Sequence, residues 1–208
     1  EKAIKADLIF GANVLAHVPE IVDFVKGVKV ILKPKGTAIF EFPYIKSLME
    51  NKFDTIYHEH VFYYSLLALR NLFKAADLEI YDVEMTPMQG GSLRIFISHP
   101  ENFSISENVK KLIEEELKNE FDKIETYQKI KENVSKLKEH LINLLEKIKN
   151  NGQKIAAYSA PAKGNILLNY FGIKDCLSFI VDKSEAKQGL YTPGTHLLVH
   201  PLKKIYEE

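Results

Sequence analysis

Two short apolar runs flank an amphipathic segment near the start of the sequence, and their spacing limits the fold more than any other feature. Leu8–Phe10 is the first run, and TAIFEF, residues 37–42, is the second. A strand, a helix and a strand of these lengths predict a right-handed parallel crossover within an α/β sheet. Pro34 and Gly36 are predicted to end the helix. The helix itself is predicted from apolar residues at helical spacing: Ile21, Val22, Phe24, Val25, Val28, Ile31 and Leu32.

The chain continues with a second pair of predicted strands and then a long charged segment. LEIYDVEMT, residues 78–86, and SLRIFIS, residues 92–98, flank the turn PMQGG and predict an antiparallel pair. Ser65 is the predicted N-cap of a helix that extends to about Ala75. From 106 to 150 the sequence predicts a helix that connects two domains, with a coiled-coil dimer seam as the alternative. Its apolar residues form one stripe: Val134, Leu137, Leu141, Leu144 and Ile148.

A second α/β unit is predicted after residue 150. KIAAYS, residues 154–159, and LSFIVD, residues 177–182, are the predicted strands, with the helix ILLNYFG, residues 166–172, between them. The segment APAKGN, residues 160–165, is interpreted as a turn of small residues before that helix. Such a turn presents backbone N–H groups to a phosphate, and Lys163 adds a positive charge. A plain structural turn is the alternative, because one turn of this type is weak support for an anion site.

The charge balance and the cysteine count exclude several classes of partner and site. Lys and Arg together number 28, as do Asp and Glu. A chain with zero net charge lacks the basic surface of nucleic-acid-binding proteins and has no general attraction to anionic membranes. No apolar run approaches the roughly 18–20 residues of a membrane-spanning helix. Cys176 is the single cysteine, which excludes an internal disulfide and a cysteine zinc site and predicts a reducing, cytoplasmic location.

The segment TIYHEHVFYYS, residues 55–65, concentrates titratable side chains. In an extended backbone, alternation would place His58 and His60 on one side, whereas in a helical turn Tyr57 and His60 would share a face. Two interpretations follow from the residues alone. The histidines could belong to a polar loop and bond neighbouring backbone, or His58 and His60 could bind zinc in a hydrolase with a third ligand from Glu59, His17 or elsewhere.

Six segments of the chain resemble a known enzyme family. DLIFGANVLAHVP and LKPKGTAIFEFPY are similar to the second half of a class I S-adenosylmethionine-dependent methyltransferase domain. FDTIYHEH, GGSLRIF, APAKGNILLNYFGI and VDKSEAKQGLYTPGTH resemble the nucleotide-sugar C-methyltransferases, which act on deoxy-keto sugars linked to a nucleoside diphosphate. The resemblance covers essentially all 208 residues.

The resemblance implies that the chain is divided into three parts. It also implies that the chain corresponds to the C-terminal portion of the family's proteins. Residues 1–100 correspond to a partial methyltransferase domain, 101–150 to a helical connector, and 151–208 to a smaller Rossmann-like domain that binds the nucleotide sugar. The family's zinc-binding N-terminal domain and its glycine-rich cofactor turn have no counterpart in the sequence. S-adenosylmethionine is the expected cofactor, zinc is expected only in that other domain, and the chain alone is expected to be inactive.

The resemblance also implies roles in C-methylation for individual residues. Methyl transfer to a carbon beside a ketone needs a base for the C–H proton and a donor for the enolate oxygen. His60 is the expected base, with Glu59 as its polar support and Tyr57 as a contact to the sugar or the enolate. His17 is expected in the cleft facing the sugar. The backbone at the end of the first strand is expected to contact the methionine part of the cofactor: Gly11, Ala12 and Asn13.

Further residues are expected to contact the nucleoside-diphosphate sugar. Arg94, on a strand after a tight turn, is expected to reach the substrate, although an ion pair is equally compatible with its position. The expected function is C-methylation of a keto sugar, and a non-catalytic nucleotide-sugar-binding or interaction module is the alternative. The sugar, the methylated carbon, the nucleotide base and the oligomeric state stay open. The expected contacts of the C-terminal domain are these: Ser159, Lys163, Gly164, Asn165, Lys187 and Tyr191.

Overall fold

The computed structural model describes residues 4–52 and 55–207. Two compact units make up the chain, Glu1–Ile130 and Lys131–Glu208. The first unit ends inside the predicted connector 101–150, and the three-part division from the sequence stays a prediction. Within the described ranges, no helix has both the length and the apolar character needed to cross a membrane.

The first unit is built on a four-stranded mixed sheet. Its strands are β1 (Ala6–Ala12), β2 (Leu32–Pro43), β3 (Glu79–Thr86) and β4 (Ser92–Ser98), in the order β1-β2-β4-β3. β1 and β2 are parallel and are connected through helix α1 (Ile21–Ile31), while β4 runs antiparallel to both β2 and β3. The predicted α/β crossover and the predicted antiparallel pair are therefore confirmed.

The second strand begins earlier than the apolar run that predicted it. α1 ends before Pro34, as expected, but Leu32 already has extended backbone, with φ −72° and ψ 129°. Ala6 pairs with Leu32 and Leu8 pairs with Thr37, so several residues of β2 lie opposite a single residue of β1. This irregularity accommodates Pro34, which has no N–H to donate to a strand ladder.

Alternate residues of the central strands and the inner faces of the helices form the core of the first unit. Along the chain, helices α2 (Lys46–Met49) and α3 (Leu66–Lys74) follow β2 and precede β3. The predicted N-cap of α3 is confirmed, because the Ser65 hydroxyl accepts a hydrogen bond from the Ala68 N–H at 3.1 Å. The buried side chains come from β2, β4, α1 and α3: Ala38, Phe40, Phe42, Leu93, Ile95, Ile97, Val25, Val28, Leu66, Leu69 and Phe73.

The predicted helical segment 106–150 contains two helices rather than one. They are α4 (Glu107–Lys118) and α5 (Ile124–Asn150). The Ser106 hydroxyl accepts a hydrogen bond from the Val109 N–H at 3.3 Å and caps α4. The helical segment therefore begins at the predicted position, and it is interrupted between Lys118 and Ile124.

Two members of the apolar stripe predicted along α5 are not buried within the chain. Leu137 and Leu144 are 36% and 54% exposed, whereas Leu145 is buried. With 3.6 residues per turn, Leu145 lies about 100° around the helix from Leu144. The buried face of α5 is therefore rotated toward Leu145, because periodicity alone does not fix which side of an apolar sector packs against a neighbour.

The second unit contains a three-stranded parallel sheet in the order β5-β6-β7. Its strands are β5 (Ala156–Tyr158), β6 (Phe179–Val181) and β7 (Val199–His200). Helix α6 (Ala162–Phe171) lies between the first two strands in the chain, and α7 (Lys204–Glu207) follows the third. The predicted strand–helix–strand unit is confirmed.

The turn predicted at 160–165 is wrong in its extent. α6 begins at Ala162, with Pro161 at its N-cap. Proline is compatible with a helix start because its missing N–H would have no partner inside the helix. Four residues assigned to the turn therefore lie in the first turn of α6: Ala162, Lys163, Gly164 and Asn165.

Candidate functional site

Two loops that follow parallel strands meet at one edge of the first unit's sheet. β1 and β2 run in the same direction, so their carboxyl ends lie side by side, with Ala12 paired to Glu41. The first loop carries a 3₁₀ turn, Leu15–His17, and the second extends from Tyr44 to Ser65. Open α/β sheets bind ligands at this edge, so the loops define the candidate site.

A turn at His58 and Glu59 brings Tyr57 and His60 together. The His60 N–H donates a hydrogen bond to the Tyr57 carbonyl at 3.0 Å, and the two ring centroids are 4.4 Å apart. The helical-turn arrangement is therefore the one observed. The extended arrangement, which would have placed His58 on the same side as His60, is wrong.

His17 joins this pair to form a cluster of three rings. Its ring centroid lies 4.9 Å from that of His60 and 6.3 Å from that of Tyr57, with edge-to-face geometry in both cases. The main chain connects the two loops, because the Val61 N–H donates to the Ala16 carbonyl at 2.8 Å. Three of the four residues expected to be catalytic are thus brought together.

The main chain also selects the tautomer of His60. Its Nδ1 lies 2.9 Å from the Thr55 carbonyl oxygen, and His60 is 8% exposed. A carbonyl oxygen only accepts, so Nδ1 carries the proton, and in the neutral ring the lone pair is on Nε2. The Tyr63 hydroxyl donates to the same carbonyl at 3.2 Å, and burial raises the pKa of Tyr63 to about 12, so this hydroxyl stays protonated at neutral pH.

Glu59 lies on the exposed side of the same turn. Its Oε1 is 3.8 Å from Nε2 of His58, and the two side chains are 59% and 72% exposed. An exposed pair at this distance contributes little to stability. The structure therefore places Glu59 beside His58, and its role as support for His60 stays a prediction.

The zinc-hydrolase interpretation has no ligand set to support it. Among residues 4–52 and 55–207, no group of three His, Cys, Asp or Glu side chains could hold a metal ion. The turn also separates an exposed His58 from a buried His60. The geometry thus contradicts the assignment of these two histidines as joint zinc ligands.

Gly11, Ala12 and Asn13 at the end of β1 were predicted to contact a cofactor. Their surroundings in the structure differ. Gly11 is buried, and a Cβ built on it would lie 2.9 Å from the Phe40 ring, so packing alone requires glycine there. The Asn13 N–H already donates to the Glu41 carbonyl at 2.7 Å. Ala12 is exposed, and Asn13 is half-buried with φ +55°. Ala12 and the Asn13 side chain fit a ligand better than Gly11 does, and the cofactor contact of all three stays a prediction.

Arg94 links three neighbouring strands through two carboxylates. Its Nε and Nη2 donate to Glu41 Oε2 at 3.0 and 2.7 Å, and its Nη1 donates to Glu84 Oε2 at 2.6 Å. Glu41 and Glu84 are its cross-strand neighbours on β2 and β3. The Glu41 contact is the main reason why the pKa of Arg94 is raised. The ion-paired arrangement is thus the one observed, and a contact between Arg94 and substrate stays a prediction.

A buried aspartate organises the predicted anion site of the second unit. Asp182 follows β6 and accepts hydrogen bonds from the Ala160 N–H at 2.7 Å, the Ser184 N–H at 2.8 Å and the Lys187 ammonium at 3.1 Å. The Ala160 N–H, followed by that of Ser184, holds the pKa of Asp182 well below its ordinary value. Sequence reasoning missed Asp182, although an acidic residue at the carboxyl end of a parallel strand was a usable signal.

Two residues expected to bind the nucleotide sugar belong to this aspartate's hydrogen-bond network. The Ser159 hydroxyl donates to Asp182 at 3.3 Å, and the Lys187 ammonium also donates to the Ala160 carbonyl at 3.1 Å. Ser159 has φ +76°, so the chain turns sharply before α6. The substrate roles of all six residues stay predictions. Lys163, Gly164 and Asn165 lie in the first turn of α6. Tyr191 lies at an exposed position.

Two protein-family models match the chain. One, described as C-methyltransferase C-terminal domain, matches residues 87–208, and another, described as methyltransferase domain, matches residues 1–83. C-methyltransferase NovU of Streptomyces niveus is 31% identical over 195 residues, which cover 92% of this chain and 46% of that protein. The chain thus spans about half the length of this curated relative.

Two solved structures each resemble less than half of the chain. Magnesium protoporphyrin IX methyltransferase from Synechocystis PCC 6803, with bound SAH, is 13% identical with a TM-score of 0.37, over 46% of this chain and 46% of that chain. TnmH is 22% identical with a TM-score of 0.35, over 46% of this chain and 31% of that chain.

Proposed function

Because the chain belongs to the C-methyltransferase family whose C-terminal domain matches residues 87–208, we propose that the complete gene product methylates a carbon of a nucleotide-linked sugar. The donor is S-adenosylmethionine, and the methylated carbon lies beside the keto group of a deoxy sugar. The observation that carries this proposal is the cluster of His60, Tyr57 and His17 at the carboxyl ends of β1 and β2.

His60 is the proposed base that removes the C–H proton. Its Nδ1–H donates to the Thr55 carbonyl, so Nε2 of the neutral ring has the lone pair that accepts the proton. Protonation at Nε2 gives an imidazolium that still donates through Nδ1 to the same carbonyl. That hydrogen bond is stronger when the donor is charged, which favours the protonated product.

Tyr57 and His17 are the proposed partners of the enolate oxygen. Their rings flank that of His60, at 4.4 and 4.9 Å between centroids. A donor so close to the base can stabilise the negative charge that develops on the keto oxygen as the proton leaves. S-adenosylmethionine supplies an electrophilic methyl group on sulfur, and the two loops then have to hold the substrate carbon in line and exclude water.

The second unit is the proposed site for the nucleoside diphosphate. The Asp182 carboxylate fixes the sharp turn at Ser159 and Ala160, immediately before the N-terminus of α6. A helix N-terminus favours phosphate, and Lys163 in the first helical turn adds a positive charge. The proposal includes a cytoplasmic location, which the single cysteine of the sequence favours.

His60→Asn in the complete gene product tests this function directly. We expect methyl transfer to fall by about 10²- to 10⁴-fold, the usual contribution of a general base, while nucleotide-sugar binding stays unchanged. His58→Asn is the matched control, because the same substitution is made two residues away on an exposed side chain. Transfer is measured with labelled S-adenosylmethionine and binding by calorimetry.

Near-normal turnover of the His60→Asn variant would refute the assignment of the base. A wild-type protein that binds the nucleotide sugar but never transfers a methyl group would instead favour the non-catalytic binding module.

A further inference from the structure

We propose that Glu116, on helix α4, is a positioning residue that fixes both ends of the loop 44–65, which carries the proposed base His60. This inference rests on the proposed methyltransferase function for its catalytic consequence, but its structural consequence can be measured without that function.

The Glu116 carboxylate is buried and accepts three hydrogen bonds. The residue is 0% exposed. Its Oε1 accepts from the Tyr44 hydroxyl at 2.7 Å and from the Leu66 N–H at 2.6 Å, and its Oε2 accepts from the Leu67 N–H at 2.8 Å. A buried carboxylate with this many donors is held in one position, and it holds its donors in turn.

These donors come from the two ends of the loop. Tyr44 directly follows β2, and Leu66 and Leu67 are the first residues of α3. The two ends also touch each other, because Tyr44 forms a strand-like bridge with Tyr64 and the Ile45 N–H donates to the Tyr64 carbonyl at 3.2 Å. One side chain from a separate helix therefore closes the base of the loop.

The chemistry of the contact explains why a carboxylate is needed. The first N–H groups of an α-helix have no acceptor inside the helix. Ser65 caps α3 by accepting from the Ala68 N–H, which leaves the Leu66 and Leu67 N–H groups for Glu116. Ionised carboxylate oxygens only accept, whereas a glutamine would direct an NH₂ group at one of these N–H donors.

Burial also constrains the charge at this position. It raises the pKa of Glu116, and the hydrogen bonds from Tyr44, Leu66 and Leu67 lower it in part. The same burial, together with the Glu116 carboxylate, raises the pKa of Tyr44, so Tyr44 remains a protonated donor. The Tyr44 hydroxyl is therefore a donor at neutral pH, and the three hydrogen bonds to Glu116 counteract the burial that disfavours its charged form.

The test compares Glu116→Gln with Glu114→Gln, which makes the same change at an exposed position of the same helix. Amide hydrogen–deuterium exchange of the peptide 55–64 is measured in this chain. kcat, KM and nucleotide-sugar affinity are measured in the complete gene product. Tyr44→Phe is a second variant that removes one donor and leaves both helix N–H bonds to Glu116, so it reports on the loop even if Glu116→Gln fails to fold.

We expect Glu116→Gln to lower kcat and to speed exchange in 55–64 by roughly tenfold to a hundredfold, the factor by which an opening equilibrium shifts when a buried donor loses its acceptor. Tyr44→Phe should have a smaller effect of the same kind, and Glu114→Gln should have none. Nucleotide-sugar affinity should stay within about twofold for all three, because the substituted residues belong to the first unit and the proposed nucleotide site belongs to the second.

Exchange in 55–64 that matches the wild type in both Glu116→Gln and Tyr44→Phe would overturn the proposal. An equal loss of kcat and of nucleotide affinity would also overturn it, because that result indicates general destabilisation. A wild-type gene product without methyl transfer would refute the proposed function, whereas faster exchange in the variants would still support the role of Glu116 in the loop.

Discussion

The ring of Phe40 lies against the Cα atom of Gly11, and a Cβ at position 11 would come within 2.9 Å of two ring carbons. Gly11 on β1 is paired with Phe40 on β2, and Phe40 is 1% exposed. The ring therefore has no space into which it can move without disturbing the core. The glycine at this point of the candidate site is required by packing, whatever ligand the site binds.

Gly11→Ala is predicted to lower the free energy of unfolding by about 1–3 kcal/mol, the usual cost of overpacking a core. Gly27→Ala is the matched control, because a Cβ there has nothing within 4 Å. Since Gly27 lies inside α1, its replacement is predicted to raise the free energy of unfolding by about 0.5–1 kcal/mol. Urea denaturation measures both. A Gly11→Ala variant as stable as the wild type would contradict the packing of Phe40.

Asp182→Asn is predicted to destabilise the second unit in a pH-dependent manner. The pKa of Asp182 lies below its ordinary value of 3.8, so the ionised carboxylate stabilises the fold above that value, and this stabilisation is lost as the pH falls through the folded-state pKa. The difference in unfolding free energy between wild type and variant should therefore be full at pH 7 and shrink below about pH 4. Denaturant titrations across this range measure it.

Asp175→Asn serves as the control for that experiment, since Asp175 is an exposed aspartate of the same unit. A difference between wild type and Asp182→Asn that stays constant from pH 7 to acid would show that the charge of Asp182 does not stabilise the turn at Ala160.

Lys163→Ala is predicted to weaken binding of a nucleoside-diphosphate sugar more than binding of S-adenosylmethionine. Lys163 lies in the first turn of α6, where its charge adds to the positive end of the helix dipole. We expect roughly a tenfold loss of affinity, or about 1.4 kcal/mol, measured by calorimetry at low and high salt. Lys174→Ala, at an exposed lysine of the same unit, is the control. Equal effects on the two ligands, or none, would contradict the phosphate assignment.

The elements of the fold were predictable wherever one face of a helix or strand is buried and its apolar residues recur with the period of that element. The strands around Phe40 and Ile95 and the N-cap at Ser65 are cases in which apolar period or local capping chemistry decides the structure. The buried face of α5 was not predictable in the same manner. Leu144 and Leu145 are equally apolar, and only the neighbouring elements determine that Leu145 is the buried one.

The candidate site was predictable in its residue types but not in its hydrogen bonds. Tyr57 and His60 could be identified in the sequence, yet the choice between an extended segment and a turn depends on long-range contacts such as that of Val61 with Ala16. Sequence reasoning also missed Glu116, because α4 is highly charged. A signal was present, since Glu116 lies on the same helical face as the buried residues Val109 and Leu112.

Thr55 orients His60 through a main-chain oxygen rather than through a side chain. When a carboxylate side chain orients a histidine, one substitution can delete the orienting group. A peptide carbonyl cannot be deleted in this manner, so the orientation of His60 depends on the path of the chain at Thr55 rather than on the Thr55 side chain. Inactivating variants should consequently be scattered over the residues that maintain this path, and a comparison of side-chain identities at position 55 would not reveal why the site is sensitive.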